Sequence, residues 1–288
     1  MKPLVSITVC THNDELFLEE LIRSILHQSY KNFELIILCD NTSILTHNIL
    51  KKFADIRIIV KKYPFKSEGN IAKLRNYVVQ LCKGKYIFMT DGDCFVSSNW
   101  LSEGLTYFNK YKPDIIEGKI IYGSENYKPT LSDRIIQNLT GGSWMTANIA
   151  YTKKILREYK FDENFPRMSD RELALHYLQD GKIPFVSSMI VFHQIKKRDI
   201  RGYLKEVETY IIPKIELIKK YDDKLGNPFR ILSPEYLITL IFPLAIIFKL
   251  KSIKTKEDLK LFPFIWIKAI YMRYTIWKTA ISKKVFVI

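Results

Sequence analysis

Apolar and polar residues follow two different periods along the first third of the chain. Four short stretches are almost continuously apolar, which is typical of strands buried on both faces. They cover residues 5–10, 33–39, 56–60 and 86–90. Between them, residues 18–25, 44–53 and 71–82 place apolar side chains three and four positions apart, as amphipathic helices do. The alternation predicts an α/β fold with a mostly parallel, Rossmann-like central sheet flanked by helices.

Polar clusters follow three of these predicted strands. Residues 11–13, 40–42 and 91–93 each come directly after an apolar run. Because the carboxyl ends of parallel strands meet at one edge of a sheet, we expect the three clusters to converge on one crevice. The chain has neither a GxGxxG after its first strand nor a P-loop motif, which excludes the usual dinucleotide and P-loop phosphate cradles.

The turn formed by Asp91, Gly92 and Asp93 carries the most specific chemistry. It places two carboxylates around a glycine, directly after the predicted strand at residues 86–90. Two such carboxylates can hold one hard divalent cation, which can neutralise a diphosphate. The alternative is an ordinary solvated turn, since Asp and Gly are common turn formers. The neighbouring polar clusters favour the metal site.

The formal net charge of +15 is concentrated in the last third of the chain. From Phe192 onward there are 20 Lys or Arg residues against 9 Asp or Glu, and 25 against 21 before it. Residues 236–249 and 261–268 combine this charge with apolar and aromatic side chains. These apolar runs are shorter than the roughly 20 residues that a membrane-spanning helix needs. We therefore predict helices that lie on an anionic inner-leaflet surface; the alternative is a core helix pair with a charged outer face.

The four cysteines, Cys10, Cys39, Cys82 and Cys94, form no CxxC pair, so we expect free thiols in a reducing compartment. The chain begins with a predicted strand and not with the apolar stretch of a signal peptide. Together these features predict a protein on the cytoplasmic side of the cell membrane, bound peripherally.

Several motifs, in this order, resemble those of the family 2 glycosyltransferases, which are inverting, nucleotide-sugar-dependent enzymes with the GT-A fold. The resemblance covers residues 3–193. It is carried by VSITVCTHN at 5–13, QSYKNFELII at 28–37, Gly69 followed by Arg75 and Asn76, GKYIFMTDGD at 84–93, FDENF at 161–165, DREL at 170–173 and Gly181. It implies a GT-A domain at residues 1–200 and a basic, aromatic-rich helical region at residues 201–288.

The resemblance also implies roles for individual residues. A nucleoside-diphosphate sugar, in particular a UDP-sugar, would contact Thr11, Asn13, Asp40, Arg75, Asp91 and Gly92. Asp93 of this DxD segment would bind Mn or Mg, with His193 as a further metal ligand. The alternative for the polar residues is loop capping, and for His193 an ordinary surface position.

Asp170 is the general base that the resemblance implies, because it occupies the second position of the family's Glu-Asp pair. Inversion needs one base that removes the proton of the attacking hydroxyl. The chain departs from the pattern in having Ser169 at the first position. Ser169 and Asp170 are also favoured helix caps, here for a predicted helix at residues 172–179.

The sequence thus predicts a metal-dependent glycosyltransferase of the hexosyltransferase type, with a lipid-linked or polysaccharide acceptor. Trp144 could stack on a sugar ring or belong to the core, and these alternatives stay open. The alternative function is a non-catalytic module that binds nucleotide sugars or nucleic acid. Nucleic acid is the less favoured partner, because RNA binding needs aromatic and basic side chains exposed on one face.

Overall fold

The computed structural model describes residues 3–12, 14–225, 250 and 253–285. They belong to two compact units. Unit 1 comprises Met1–Glu125 and Ile136–Gln194, and unit 2 comprises Asn126–Ile135 and Ile195–Ile288. Unit 1 is an α/β unit, and the described part of unit 2 is mainly helical. The functional division into residues 1–200 and 201–288 stays a prediction.

Strands and helices alternate through the first part of unit 1, as predicted. The strands of this unit are β1 (Val5–Thr11), β2 (Phe33–Cys39), β3 (Ile58–Lys62), β4 (Tyr86–Asp91), β5 (Cys94–Val96), β6 (Ile115–Tyr122), β7 (Ile149–Thr152) and β8 (Phe185–His193). The helices are α1 (Glu15–Leu26), α2 (Ile44–Lys51), α3 (Ile71–Leu81), α4 (Trp100–Tyr111), α5 (Lys153–Glu158) and α6 (Ser169–Tyr177). A 3₁₀ turn at Thr146–Asn148 leads into β7.

One eight-stranded sheet runs through unit 1 in the order β3-β2-β1-β4-β7-β6-β8-β5. The pairs among β3, β2, β1 and β4 are parallel, which confirms the prediction for this half of the sheet. In the other half, β7 is antiparallel to both β4 and β6, and β5 is antiparallel to β8, while β6 and β8 are parallel. The sheet is therefore mixed, because β7 and β5 reverse the chain direction.

Strand β2, which lies between β3 and β1, shows why the predicted strands are almost continuously apolar. Successive side chains of a strand point to opposite faces of the sheet. Leu35 and Ile37 belong to the apolar cluster that includes α1, whereas Ile36 and Leu38 belong to the cluster that includes α3. Both faces of the strand are covered, so every position favours an apolar residue.

Two predicted boundaries are wrong. β3 begins at Ile58 and not at residue 56, because the Asp55 carboxylate accepts a hydrogen bond from the Arg57 backbone N–H at 2.9 Å and turns the chain there. Ile56 is consequently 99% exposed. Helix α6 begins at Ser169, and its N-cap is Met168, which has a φ of 60°. Ser169 and Asp170 therefore lie inside the first turn and do not cap a helix at residues 172–179.

Three helices account for the regular structure in the described part of unit 2. They are α7 (Ile200–Leu225), α8 (Lys256–Leu261) and α9 (Phe264–Lys283). The Asp258 carboxylate is fully buried and accepts hydrogen bonds from the backbone N–H groups of Ser132, Lys254 and Thr255. Asp258 thereby ties the loop at Asn126–Ile135 to the start of α8.

Among the described residues, no helix has the length and apolar character that crossing a membrane would require. The basic and apolar segment predicted at residues 261–268 forms the end of α8 and the start of α9. The corresponding segment at residues 236–249 lies outside the described residues.

Candidate active site

Three of the predicted polar clusters lie at neighbouring strand ends of unit 1. Thr11 ends β1 opposite Cys39, and Cys10 lies opposite Asp91 at the end of β4. The Asp40 backbone N–H donates to the Thr11 carbonyl at 3.1 Å. The structure thus brings these strand ends to one edge of the sheet, as the parallel pairing requires.

The partly buried Cys10 thiol lies among the charged residues of this edge. Burial raises the pKa of Cys10 to about 12; Arg75 opposes the rise, and Asp91 and Asp40 add to it. The electrostatic influence of all three residues on one thiol indicates that they surround the same region. Cys10 itself is an uncharged core residue at neutral pH.

Asp40 is buried and already has a hydrogen-bond partner. Its side chain accepts a hydrogen bond from the Ser67 hydroxyl at 2.5 Å, and its backbone carbonyl accepts one from Nδ1 of His12 at 2.7 Å. The Thr11 hydroxyl donates to the Asp14 carboxylate at 3.2 Å. Asn13, which the sequence analysis placed in the nucleotide site, lies outside the described residues.

The Asp14 side chain packs against Gly92. A Cβ atom at Gly92 would lie 2.5 Å from Oδ2 of Asp14, well inside contact distance. The same Asp14 oxygen accepts from the His12 backbone N–H and the Thr11 hydroxyl. Asp14 therefore adds a third carboxylate beside the Asp91-Gly92-Asp93 turn, which the sequence analysis did not identify.

Asp91 experiences an excess of negative charge. Burial raises its pKa to about 7, and the neighbouring Asp93 carboxylate adds to the rise, as do Asp170 and Asp14 more weakly. Arg75 acts in the opposite direction. Placing anionic groups this close costs free energy, and a bound cation reverses that cost.

His193 faces Asp93 across the pair of strands β5 and β8. The imidazole is 1% exposed, and its Nε2 lies 3.4 Å from Oδ2 of Asp93. Nδ1 lies 3.1 Å from the Gln194 carbonyl oxygen, which can only accept, so this hydrogen bond places a proton on Nδ1. In the neutral ring, Nε2 then presents a lone pair towards a carboxylate oxygen. Such a pair is stable when the ring is protonated or when a cation lies between the two atoms.

The donor atoms around Asp93 fit a divalent cation. Ligand atoms of Asp93, Cys94 and His193 lie within 4.8 Å of one another, and all three residues are buried. Burial keeps the pKa of the Cys94 thiol well above its ordinary value, so it is protonated at neutral pH. Hard cations such as Mg and Mn take carboxylate oxygen in preference to thiol. Asp93 and His193 are therefore the fitting ligands in this cluster.

Arg75 projects from α3 towards the start of α6. Its guanidinium donates to the Ser169 hydroxyl at 3.0 Å and to the Thr146 hydroxyl, and it lies 3.8 Å from the Asp170 carboxylate. The guanidinium carbon is 5.5 Å from the centre of the Phe161 ring. Arg75 thus connects the strand-end acids with Asp170, and Ser169 contributes by holding this arginine.

Asp170 is held by several donors before any substrate is present. Its Oδ2 lies 3.2 Å from the Thr146 backbone N–H and 3.3 Å from the Thr146 hydroxyl. Its Oδ1 accepts from the Arg171 backbone N–H at 2.9 Å. The carboxylate orientation is consequently fixed, as a positioned base requires.

Glu117 is a site-forming residue that the sequence analysis missed. It lies in β6, is 1% exposed, and accepts hydrogen bonds from the backbone N–H groups of Gly142, Ser143 and Trp144 and from the Asn138 amide. The loop it holds runs into the 3₁₀ turn that contains Thr146. Two features of the sequence could have identified Glu117: it is a charged residue in the apolar stretch of residues 115–122, and a double glycine follows downstream.

Trp144 belongs in part to the apolar core. It packs, partly buried, against the cluster that contains Tyr151 and Phe161, and its φ is 51°. Gly141 and Gly142 also have positive φ, of 90° and 84°. Residues with a side chain rarely adopt a positive φ, so the glycines are needed for the shape of the loop. The role of Trp144 in stacking on a sugar stays a prediction.

Comparison with known proteins identifies the family. The model of the family described as glycosyl transferase family 2 matches residues 6–174. An uncharacterised glycosyltransferase of Haemophilus influenzae is 35% identical over 264 residues, which cover 83% of this chain and 80% of the relative. The Escherichia coli UDP-Glc:alpha-D-GlcNAc-diphosphoundecaprenol beta-1,3-glucosyltransferase WfaP is 31% identical over 109 residues, covering 38% of this chain and 43% of the relative.

A solved structure shows the same fold. The mannosyltransferase PcManGT from Pyrobaculum calidifontis, in complex with GDP-Man and Mn2+, has a TM-score of 0.59 at 12% identity, covering 98% of this chain and 88% of that one. The mixed sheet, the acidic strand-end turn and the matched family model agree with one another. This chain belongs to glycosyl transferase family 2 and has the GT-A fold.

Proposed function

We propose that this glycosyltransferase moves a sugar from a nucleoside-diphosphate sugar, in particular a UDP-sugar, to a hydroxyl group of a lipid-linked or polysaccharide acceptor. The transfer inverts the configuration at the anomeric carbon and depends on a divalent metal. The observation that carries the proposal is the pair of crowded carboxylates, Asp91 and Asp93, at a strand end. Asp170 lies close enough to this pair to contribute to the raised pKa of Asp91.

Asp93 and His193 would hold the metal ion, and the Asp91 carboxylate would lie beside them. Mn2+ in PcManGT supports the use of a divalent cation by this fold, although Mg serves the same chemistry. When bound, the ion supplies positive charge that neutralises the departing diphosphate. The donor set fits this role because the Asp93 carboxylate faces the buried His193 imidazole and adds to the raised pKa of the neighbouring Asp91.

The nucleotide would lie along the strand ends of unit 1. We assign Thr11 and Asp40 to the nucleoside, and Arg75 to the base or the diphosphate. The guanidinium of Arg75 donates to Ser169 and Thr146. These contacts support a position of Arg75 between the nucleotide-sugar side and the acceptor side of the site. We also assign Gly92 to the nucleotide site, where Asp14 approaches its backbone closely.

Asp170 would act as the general base. It would remove the proton from the acceptor hydroxyl as the oxygen attacks the anomeric carbon, on the face opposite the leaving diphosphate. The hydrogen bonds from Thr146 and Arg171 hold the carboxylate in one orientation, with the Arg75 guanidinium 3.8 Å from it. This arrangement supports proton transfer at a fixed position.

The name of the relative WfaP supports a lipid-linked acceptor, because it specifies a sugar attached through diphosphate to undecaprenol. Such an acceptor lies at a membrane surface. We therefore place the reaction at the cytoplasmic face of the cell membrane, with the protein bound peripherally.

Release of nucleoside diphosphate from a panel of UDP- and GDP-sugars, with Mn, Mg or EDTA, tests the proposal. Wild-type protein is expected to hydrolyse one donor slowly and only with metal, and Asp93→Asn to lose this activity. Glu158→Asn is the control, since Glu158 lies on the exposed side of α5. If no donor is bound or turned over under any condition, the chain is a non-catalytic binding module and the proposal fails.

A further inference from the structure

An exposed apolar stripe runs along helix α9 of unit 2. It consists of Trp266, Ile270, Tyr274, Trp277 and Ile281, which are between 42% and 78% exposed. Their spacing of three and four residues places them on one face of the helix. At a rise of about 1.5 Å per residue, the helix of 20 residues is about 30 Å long. The stripe occupies most of that length.

The stripe is distinct from the face of α9 that packs inside unit 2. Ile276 is 2% exposed and belongs to a cluster with Val207, Ile211, Ile215 and Ile218 of α7. Helix α7 therefore covers the face of α9 that carries Ile276. A second apolar face on the same helix exceeds what folding of this helix pair requires, and large exposed apolar surfaces mark interaction sites.

Positive charge borders the stripe on both sides. By helical position, Arg273 lies at one edge and Lys278 at the other. The Arg273 guanidinium carbon is 5.6 Å from the centre of the Trp277 ring, and Nζ of Lys278 is 5.6 Å from the centre of the Tyr274 ring. Of the four basic residues in α9, Lys268 and Lys283 pair with Glu206 and Glu216 of α7, so Arg273 and Lys278 are the cations beside the stripe, and the helix contains no acidic residue. A partner of this surface must therefore offer apolar groups bordered by negative charge.

An anionic lipid bilayer has this chemistry. Trp and Tyr are favoured at the boundary between headgroups and hydrocarbon, and Lys and Arg bind the phosphates above it. A helix with such a face lies in the interface plane and does not cross the membrane. The absence of a helix able to span a membrane among the described residues agrees with that orientation.

We infer that the α9 stripe is a docking surface for anionic membranes, with its long axis parallel to the bilayer. The inference concerns lipid binding by unit 2 and does not depend on the chemistry of the strand-end site. It gives the peripheral location proposed above a defined structural basis. Failure of lipid binding would leave donor hydrolysis intact, so the two proposals can fail separately.

Sedimentation of the full chain with vesicles tests the inference. The vesicles are phosphatidylcholine alone or a mixture of phosphatidylcholine with phosphatidylglycerol, at low and at high salt. Wild-type protein is expected to bind the mixed vesicles at low salt, and less at high salt. Tyr274→Ser/Ile281→Ser is expected to weaken partitioning about tenfold or more, because two exposed apolar side chains no longer enter the interface.

A matched control exists in unit 1. Tyr111 and Ile56 are 56% and 99% exposed, against 55% and 78% for Tyr274 and Ile281. Tyr111→Ser/Ile56→Ser removes the same two side-chain types from a different surface and should bind vesicles as wild type does. Arg273→Gln/Lys278→Gln should lose binding to mixed vesicles, whereas Arg157→Gln/Lys110→Gln, on α5 and α4, should retain it.

Three outcomes would overturn the inference. Wild-type protein could fail to bind mixed vesicles at low salt, or both double Ser variants could bind equally well. In a third outcome, Tyr274→Ser/Ile281→Ser would leave vesicle binding unchanged but convert a dimer to a monomer or lower the Tm. The stripe would then contact a second copy of the chain or another segment of the same chain, and not a membrane.

Discussion

The acidic residues on the two sides of the candidate site differ in how their charge is compensated. Asp91 and Asp93 lie at the end of β4, and burial together with the neighbouring Asp93 charge raises the pKa of Asp91 to about 7. Asp170 and Glu117, from later in the chain, receive hydrogen bonds from backbone N–H groups and side chains. The first pair can gain stability from a cation, whereas the second pair is already satisfied by the protein.

The two sides of the candidate site are therefore organised differently before substrate binds. Protein donors fix the orientation of Asp170 and of the loop held by Glu117 before substrate arrives, so reorganisation costs little. Asp91 and Asp93 keep a binding capacity for positive charge at the cost of some stability of the metal-free protein. Substitutions on the two sides should therefore act on different measurable quantities.

Asp93→Asn should have the largest effect. Removal of one metal ligand is expected to lower metal-dependent donor turnover by at least about a thousandfold, because the metal supplies several kcal/mol of charge stabilisation. The Tm of the metal-free variant should not fall, since a repelling charge has been removed. Steady-state release of nucleoside diphosphate and differential scanning calorimetry measure the two effects. Turnover within tenfold of wild type would remove Asp93 from the metal site.

Asp170→Asn should lower sugar transfer by about 10²- to 10⁴-fold, the usual contribution of a general base. Donor affinity should change little, because the variant leaves the strand-end acids intact. Transfer to an acceptor is measured with saturating donor, and donor binding by calorimetric titration. A fall in donor affinity equal to the fall in transfer would contradict the separation of the two sides.

Glu117→Ala should lower the free energy of unfolding by about 2–4 kcal/mol, because the buried Asn138 amide and the partly buried N–H groups of the loop would lose their acceptor. Glu117→Gln should cost less, since its amide oxygen still accepts. Chemical denaturation measures both, with Glu158→Gln on the exposed side of α5 as a control. Equal stability of Glu117→Ala and wild type would show that the loop does not depend on this carboxylate.

The pH dependence of metal-free stability should reveal Asp91. Its pKa of about 7 in the folded protein lies above the unfolded value near 4, so the folded state binds more protons between these values. The free energy of unfolding in EDTA should therefore fall by up to a few kcal/mol as pH rises from about 4 to 7. Asp91→Asn should flatten this slope, whereas Asp170→Asn, which removes only a weaker contribution to the raised pKa of Asp91, should reduce it much less. An unchanged slope in Asp91→Asn would contradict the assignment.

The sequence predicted the parallel half of the sheet because local patterns determine it. Strands β1, β2 and β4 are largely apolar, and each is followed by polar residues that the topology brings together, whereas β3 at the edge of the sheet ends in the exposed Lys61 and Lys62. The same logic located Asp91, Asp93 and Asp40 at strand ends. His193 was found at the end of β8, and its proximity to Asp93 follows from the antiparallel pairing of β5 with β8.

The other half depends on contacts between residues far apart in the chain. Strands β7 and β5 are four and three residues long, too short to give a clear period, and their direction reverses the earlier pattern. The function of Glu117 was hidden because its partners lie 21 to 27 residues away. The start of α6 was misplaced because Met168, with positive φ, caps this helix in place of a polar side chain.

The most direct test compares Tm values with UDP in the presence of MnCl₂ or EDTA, for wild type, Asp93→Asn and Asp170→Asn. We predict that UDP with Mn raises the Tm of wild type and Asp170→Asn by similar amounts, because both retain the strand-end acids. Asp93→Asn should show no metal-dependent increase. An equal increase in Asp93→Asn and wild type would contradict the central claim that Asp93 binds the cation.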